Sequence, residues 1–225
     1  MNMPGPPAAQ GGLSLQWLQT VVRFNLRPAL VVHPTRLPHW AREVSSLSAS
    51  VVAALSRDIL TRNALVDDYD WNISDPVVRL FMMEPNARDQ IAMVLGVAAH
   101  RAELRRVVRK SHLDILRAAL GQAMDGLWLP VSELVAGTRQ PLRIDWSALN
   151  ADSLQQRMVH DGYQQMLVLL DRSKSASWKR AALCPPQDFV WQAGVLQQTP
   201  ARQALLNRIV ADVLPRWAPQ WTWLF

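Results

Sequence analysis

Cysteine is almost missing from this chain: Cys184 stands alone in 225 residues, so no internal disulfide can form and a reducing compartment, the cytoplasm, is expected. Glycine is scarce as well, nine residues in all, which argues against a fold built on many tight turns. Apolar positions hold mainly Leu, Ala and Val rather than runs of β-branched and aromatic residues. Together these shortages predict an all-α, mainly helical single globular domain, with room for at most a minor short strand pair. No window reaches the ~18 uninterrupted apolar residues of a membrane span, because the most apolar run, IAMVLGVAA, is soon cut by charge. The opening MNMPGPPAAQGG lacks the charged start and apolar stretch of a signal peptide, so residues 1–12 read as a flexible leader and 13–225 as one helical domain.

Chemical motifs are lacking too. The five histidines show no HExxH and no spacing that pairs two rings on one helix face, and no CxxC is present. Asp67, Asp68 and Asp70 share the loop VDDYDWNISDP but lack the glycine and distal glutamate of a calcium loop. Cys184, followed by two prolines, has no neighbouring base, and GxSxG and phosphate-cradling glycine motifs do not occur. The expectation is a non-enzymatic protein with no cofactor and no metal.

What is present begins with enough hydrophobic residues, 49%, to bury a core, and an excess of 24 Lys and Arg over 18 Asp and Glu. The net charge of +6 is interspersed along the chain and supports an acidic partner. Leu15, Leu18, Val22 and Phe24 form a short amphipathic opening, which the prolines of RPALVVHPTRLP interrupt. Residues 50–60 predict a helix whose inner stripe is Val51, Leu55 and Ile59. Asp75 followed by Pro76 caps the next, through Leu80, and Pro85 restarts the chain into helical patterns running to about Leu120. PLRIDW fits a short strand. Helices are expected again at 152–170, despite Gly162, and at 200–214 with Leu205, Ile209 and Val213 inward.

The helical wheel over 94–115 lines up Val94, Val97, Leu104, Val108 and Ile115 as an apolar stripe, with Arg101, Arg105 and Arg109 stacked at spacing four beside it. Arg106 and Lys110 extend the positive face, and the like charges repel by a few tenths of a kcal/mol per pair on an exposed helix. A solvated face paired within the molecule, for example with VDDYDW, and a face that docks a partner both fit. Nucleic acid would use this basic helix, 100–117, through phosphate contacts, but no turn-helix pair, zinc ligands or aromatic sheet accompanies it. Ten tryptophans complete the inventory: seven are scattered singly, as core or loop anchors, and Trp217, Trp221 and Trp223 crowd the end in a tail expected to pack back on the domain. His100, at the junction of two helical patterns, is expected to be a buried hydrogen-bonding residue.

Several of these stretches, in this order, resemble the SctK (YscK/PscK-like) family of bacterial type III secretion systems. PALVVHPTRLP supplies Pro28, Ala29, His33, Leu37 and Pro38 of the family's N-terminal signature. LGVAAHRAELRR supplies Leu95, Gly96, His100, Arg105 and Arg106 of its central helix. GLWLP, with Gly126, Trp128 and Pro130, and RIVADVLP, with Val210, Val213, Leu214 and Pro215, are similar to later segments. The chain departs from the pattern by a two-residue extension between Phe24 and Pro28 and by Arg101 in place of a small residue after the histidine. The resemblance implies an adaptor of the cytosolic sorting platform, peripheral at the cytoplasmic face of the injectisome. It would link the cytosolic domain of the inner-membrane ring protein SctD to the pod protein SctQ, and through it to SctL and the ATPase SctN, with no direct membrane insertion and no nucleic acid. Arg101, Arg105, Arg106, Arg109 and Lys110 are the candidate contacts for an acidic SctD surface.

Overall fold

A computed structural model describes residues 14–71, 73–129, 144–146, 149–170, 175–190 and 200–225. Every regular element among them is helical, as the scarcity of glycine and of β-branched runs predicts. The leader 1–12, Trp191, Pro130 and the first half of PLRIDW lie outside the described residues, and Ile144 to Trp146 form a coil and turn rather than a strand.

The centre of the domain is an antiparallel pair, α4 (Pro85–Ala99) and α7 (Ala151–Val168). Two glycines explain how closely they approach. A Cβ at Gly96 would overlap the Met158 carbonyl, and one at Gly162 would overlap the Ala92 carbonyl. Backbone therefore rests on backbone at two points four residues apart on each helix, with the numbering running in opposite directions. Gly162, which weakens the helical pattern on propensity alone, is the reason the pair can form. Around this pair pack α3 (Pro76–Met82), α6 (Lys110–Leu120) and the C-terminal elements, giving a core that includes Phe24, Phe81, Ile91, Leu95, Tyr163 and Met166. A smaller cluster forms where α2 (Ala49–Arg62) covers the 3-10 turns of the proline-rich segment, burying Ala29, Val32, Leu37, Ala41 and Val52.

Two helices turn a different face inward from the one their apolar spacing suggests. In α1 (Leu15–Leu26) the buried residues are Thr20, Val21, Phe24 and Asn25, while Leu15 is 70% exposed and Leu18 and Val22 also face outward. The reason is polar: the Asn25 carboxamide donates to the carbonyls of Val21 and Asp70 and accepts from the Asp70 amide, which fixes that side of the helix against the loop. In α2 the innermost stripe is Val52, Ser56 and Leu60, with Leu55 and Ile59 half-buried at its edge. Ser56 is tolerated there because its hydroxyl accepts the backbone N–H of Ala29.

At the C-terminus, α9 (Pro200–Arg208) runs into a π-helical segment, Ile209–Val213, and then α10 (Leu214–Trp217). Leu205, Ile209 and Val213 are fully buried as their spacing predicts. Pro215 accounts for the widened turn, since its ring would clash with the carbonyl four residues back, and Ala211 lies inside the π segment. The aromatic tail packs back: Trp221 and Leu224 are buried, and Arg79 donates to the Leu224 carbonyl at 3.1 Å. Not all the scattered tryptophans are anchors, however, because Trp40, Trp71 and Trp128 are exposed.

Candidate functional site

The continuous basic helix is the expectation the structure corrects most. α4 stops at Ala99, His100 takes a near-bridge conformation, and only the single turn α5 (Arg101–Leu104) follows. Residues 105–109 are turn and extended chain, and α6 restarts at Lys110 behind Arg109, which caps it in an extended conformation. The like charges are thus spread around a knuckle rather than stacked at helical spacing four. Val108, assigned to the apolar stripe, is 84% exposed at its tip.

Of the arginines singled out from sequence, Arg105 is anchored: its guanidinium donates to the Leu127 carbonyl at 2.6 Å and stacks 4.1 Å over the exposed Trp128 ring. Arg106, Arg109 and Lys110 are exposed and make no ion pair among the described residues, while Arg101 is half-buried and has an interaction partner. The acidic loop does not neutralise this knuckle. Asp68 lies 3.7 Å from Lys179, Asp70 accepts from Ser177, and Arg180 donates to the Asp68 carbonyl and sits over the Tyr69 ring. VDDYDW is therefore occupied by the basic helix α8 (Ser175–Ala181), and the cations at 106–110 are exposed near Trp128 and Val108.

Behind the knuckle sits a buried ionic knot. His100 is 2% exposed, as expected of it, and its Nε2 donates to Asp161 Oδ2 at 2.7 Å. Arg157 Nε donates to the same oxygen at 2.7 Å, and His160 Nδ1 lies 3.1 Å from Oδ1. Burial alone would raise the Asp161 pKa; the hydrogen bonds from His100, His160 and Arg157 outweigh it and hold the carboxyl well below the usual range. Such a group stabilises the fold fully above its unfolded pKa, near 3.9, and loses that contribution as pH falls toward the lower folded value. Wild-type protein is expected to lose stability steadily below about pH 4, whereas Asp161→Asn should be less stable at neutral pH and show a flatter acid limb. Urea midpoints across that range check this, and parallel acid limbs would contradict it.

A second network lines a cleft of about 670 Å³ between the turn at Pro34–Arg36, α4 and α7. His33 caps that turn: its Nδ1 accepts from the Thr35 amide at 3.2 Å and lies 2.8 Å from the Thr35 hydroxyl, which places the ring proton on Nε2, 3.3 Å from Asp89 Oδ2. Tyr163 donates to Asp89 Oδ1 at 2.5 Å, and Arg88, fully buried, donates to the Tyr163 hydroxyl at 3.1 Å. Burial pushes the Tyr163 phenol well up, and the neighbouring Asp89 carboxylate acts in the same direction against the opposing Arg88 charge. Its proton therefore stays in place to hold Asp89.

Most of the other residues assigned to the family pattern lie inside the fold. Pro28 is buried, Ala29 and Leu37 lie in the second cluster, Pro38 leads exposed into the next turn, and Gly96 makes the backbone contact already described. Trp128 is at the surface as well. Arg88, Asp89, Asp161 and Tyr163 escaped the sequence reading, although helical spacing offered a signal: Arg88 lies three and seven residues before buried Ile91 and Leu95, and Asp161 three and seven after Met158 and Leu154. Among the described residues no group of three or more His, Cys, Asp or Glu side chains is placed to hold a metal, and no helix is long and apolar enough to cross a membrane.

Compared with known families, residues 20–218 match the model described as YOP proteins translocation protein K (YscK). No curated protein and no solved structure matches the chain.

Proposed function

Because the chain belongs to the YscK family, which is the SctK family of type III secretion proteins, we propose that it is a non-enzymatic adaptor of the cytosolic sorting platform, bridging the SctD cytosolic domain to SctQ. SctL and the SctN ATPase are then reached through SctQ, and the protein works in the bacterial cytoplasm against the inner face of the injectisome. The observation that carries the SctD half is the knuckle: Arg106, Arg109 and Lys110 are exposed, without an ion pair among the described residues, near exposed Trp128 and Val108. A cationic patch with an apolar centre suits an acidic protein surface, where charge steers encounter and the aromatic supplies contact area. Arg105 contributes by holding Trp128 in place rather than by offering a free charge.

Arg106→Glu with Arg109→Glu is expected to weaken binding of the purified SctD cytosolic domain at least tenfold, measured by calorimetry at moderate salt, and to reduce the salt dependence of what binding is left. Unchanged affinity in a variant with wild-type melting would overturn the assignment. Nucleic-acid binding by residues 100–117 is the alternative reading, and it predicts DNA or RNA binding with a steep salt slope. The break of the basic helix into a knuckle leaves no continuous element to lie along a groove, which favours the protein partner.

A further inference from the structure

A bridge needs two separate binding faces, and the knuckle supplies one. We propose that the cleft lined by His33, Asp89, Gln155, Gln156, His160 and Gln187 is the second, and that it receives an extended main-chain segment of the pod protein; this rests on the bridging reading above. Its volume of about 670 Å³ falls within the ~300–1,000 Å³ of built ligand sites. The chemistry of its rim selects the occupant. The side-chain amides of Gln155, Gln156 and Gln187 are exposed and unpartnered among the described residues. Each carboxamide both donates and accepts, the pairing that an extended peptide's alternating N–H and C=O groups require. Arg42 and Asp188, also exposed and without an ion pair among the described residues, add one charge of each sign, so the cleft does not duplicate the purely cationic knuckle. No concentration of cations for phosphate is present there.

The wall behind these groups is fixed before anything binds. Asp89 is held from both sides by Tyr163 and His33, and His33 is held by Thr35, whose hydroxyl also accepts the Gln187 backbone N–H at 2.9 Å. Gln187 therefore hangs from the same network as the wall it faces. Val159 and Pro186 supply apolar contact between the polar groups. The wall therefore needs no ordering on binding, and that cost falls on the rim side chains alone.

The test uses the full-length chain with purified SctQ and, separately, the purified SctD cytosolic domain. Gln156→Trp fills the cleft from an exposed helical position, and Gln155→Ala with Gln156→Ala removes its amides without bulk. Both variants are expected to keep wild-type melting, lose SctQ affinity at least tenfold and retain SctD binding; hydrogen exchange in wild type should slow at residues 33–36 and 155–160 when SctQ is added. Wild-type SctQ affinity in both variants, or loss of SctD binding alone or together with SctQ, would overturn the assignment of the cleft while leaving the bridge intact. Failure of the wild-type chain to bind either protein would instead overturn the bridging reading itself, and the cleft's role with it.

Discussion

Gly162→Ala is expected to destabilise the protein by about 3 kcal/mol or more, at or beyond the upper end of the ~1–3 kcal/mol usual for overpacking. The sign is the informative part. In an exposed helix interior, Gly→Ala stabilises by about 1 kcal/mol, because alanine has the higher helix propensity and loses less backbone freedom. Here the added methyl would sit on the Ala92 carbonyl, a backbone group that cannot rotate away, so α4 and α7 must separate along the whole pair. The same holds for Gly96→Ala against the Met158 carbonyl. Since either Cβ forces the same separation, the double variant should cost clearly less than the sum of the singles. Urea unfolding of the four proteins measures this cycle; a stabilising Gly162→Ala, or strict additivity, would show that the helices are not held at backbone contact.

How much of this was legible beforehand depended on whether a residue's role was local. Asp75, Pro76 and Pro85 act within one helical turn, and their caps stand where the sequence places them, with the Asp75 carboxylate accepting the Val77 amide. Leu205, Ile209 and Val213 likewise form a buried stripe from spacing alone. Gly162 reads as a weakness because propensity is a property of one helix, whereas its function depends on Ala92, seventy residues away. The inward face of α1 depends on Asn25 meeting the Asp70 backbone, and no periodicity in LQWLQTVVRFNL announces that partner. For the site, the cations of the knuckle were identifiable as residues but not as a surface: a wheel presumes a helix, and the chain leaves the helix where its like charges would have stacked. The cleft was not legible at all. It joins four segments that meet only in the fold, and its polar residues look individually like ordinary solvated side chains.

Arg88→Met is expected to cost about 3–5 kcal/mol, the range for removing one member of a buried charged network. The methionine fills much of the volume, so the loss is polar rather than a cavity effect. All five N–H groups of the guanidinium are used: Nε donates to the Tyr163 hydroxyl, Nη1 to the carbonyls of Phe81 and Met83, and Nη2 to those of Val31 and Cys184. The four carbonyls belong to the end of α3, the proline-rich segment and the Cys184 turn, which pack on α4 and have no ladder to join them, and the Tyr163 hydroxyl belongs to α7. Burial by itself would lower the Arg88 pKa, but the groups around it, Cys184 and Tyr163 first, outweigh burial and raise it, so the fork stays charged. Removing it strands buried carbonyls at about 1–3 kcal/mol for each one left unsatisfied, less whatever relaxation or water recovers. Arg88→Lys separates charge from geometry. An ammonium has three donors at one point and cannot span acceptors arranged around a planar fork, so it should recover only a minor part of the loss. Tyr163→Phe, which removes a single member and leaves Asp89 facing His33, should cost less than either. If thermal and urea unfolding instead placed Arg88→Lys within about 0.5 kcal/mol of wild type, a buried charge alone would suffice, and the five-way fork would not be what ties the N-terminal segments to the central helix pair.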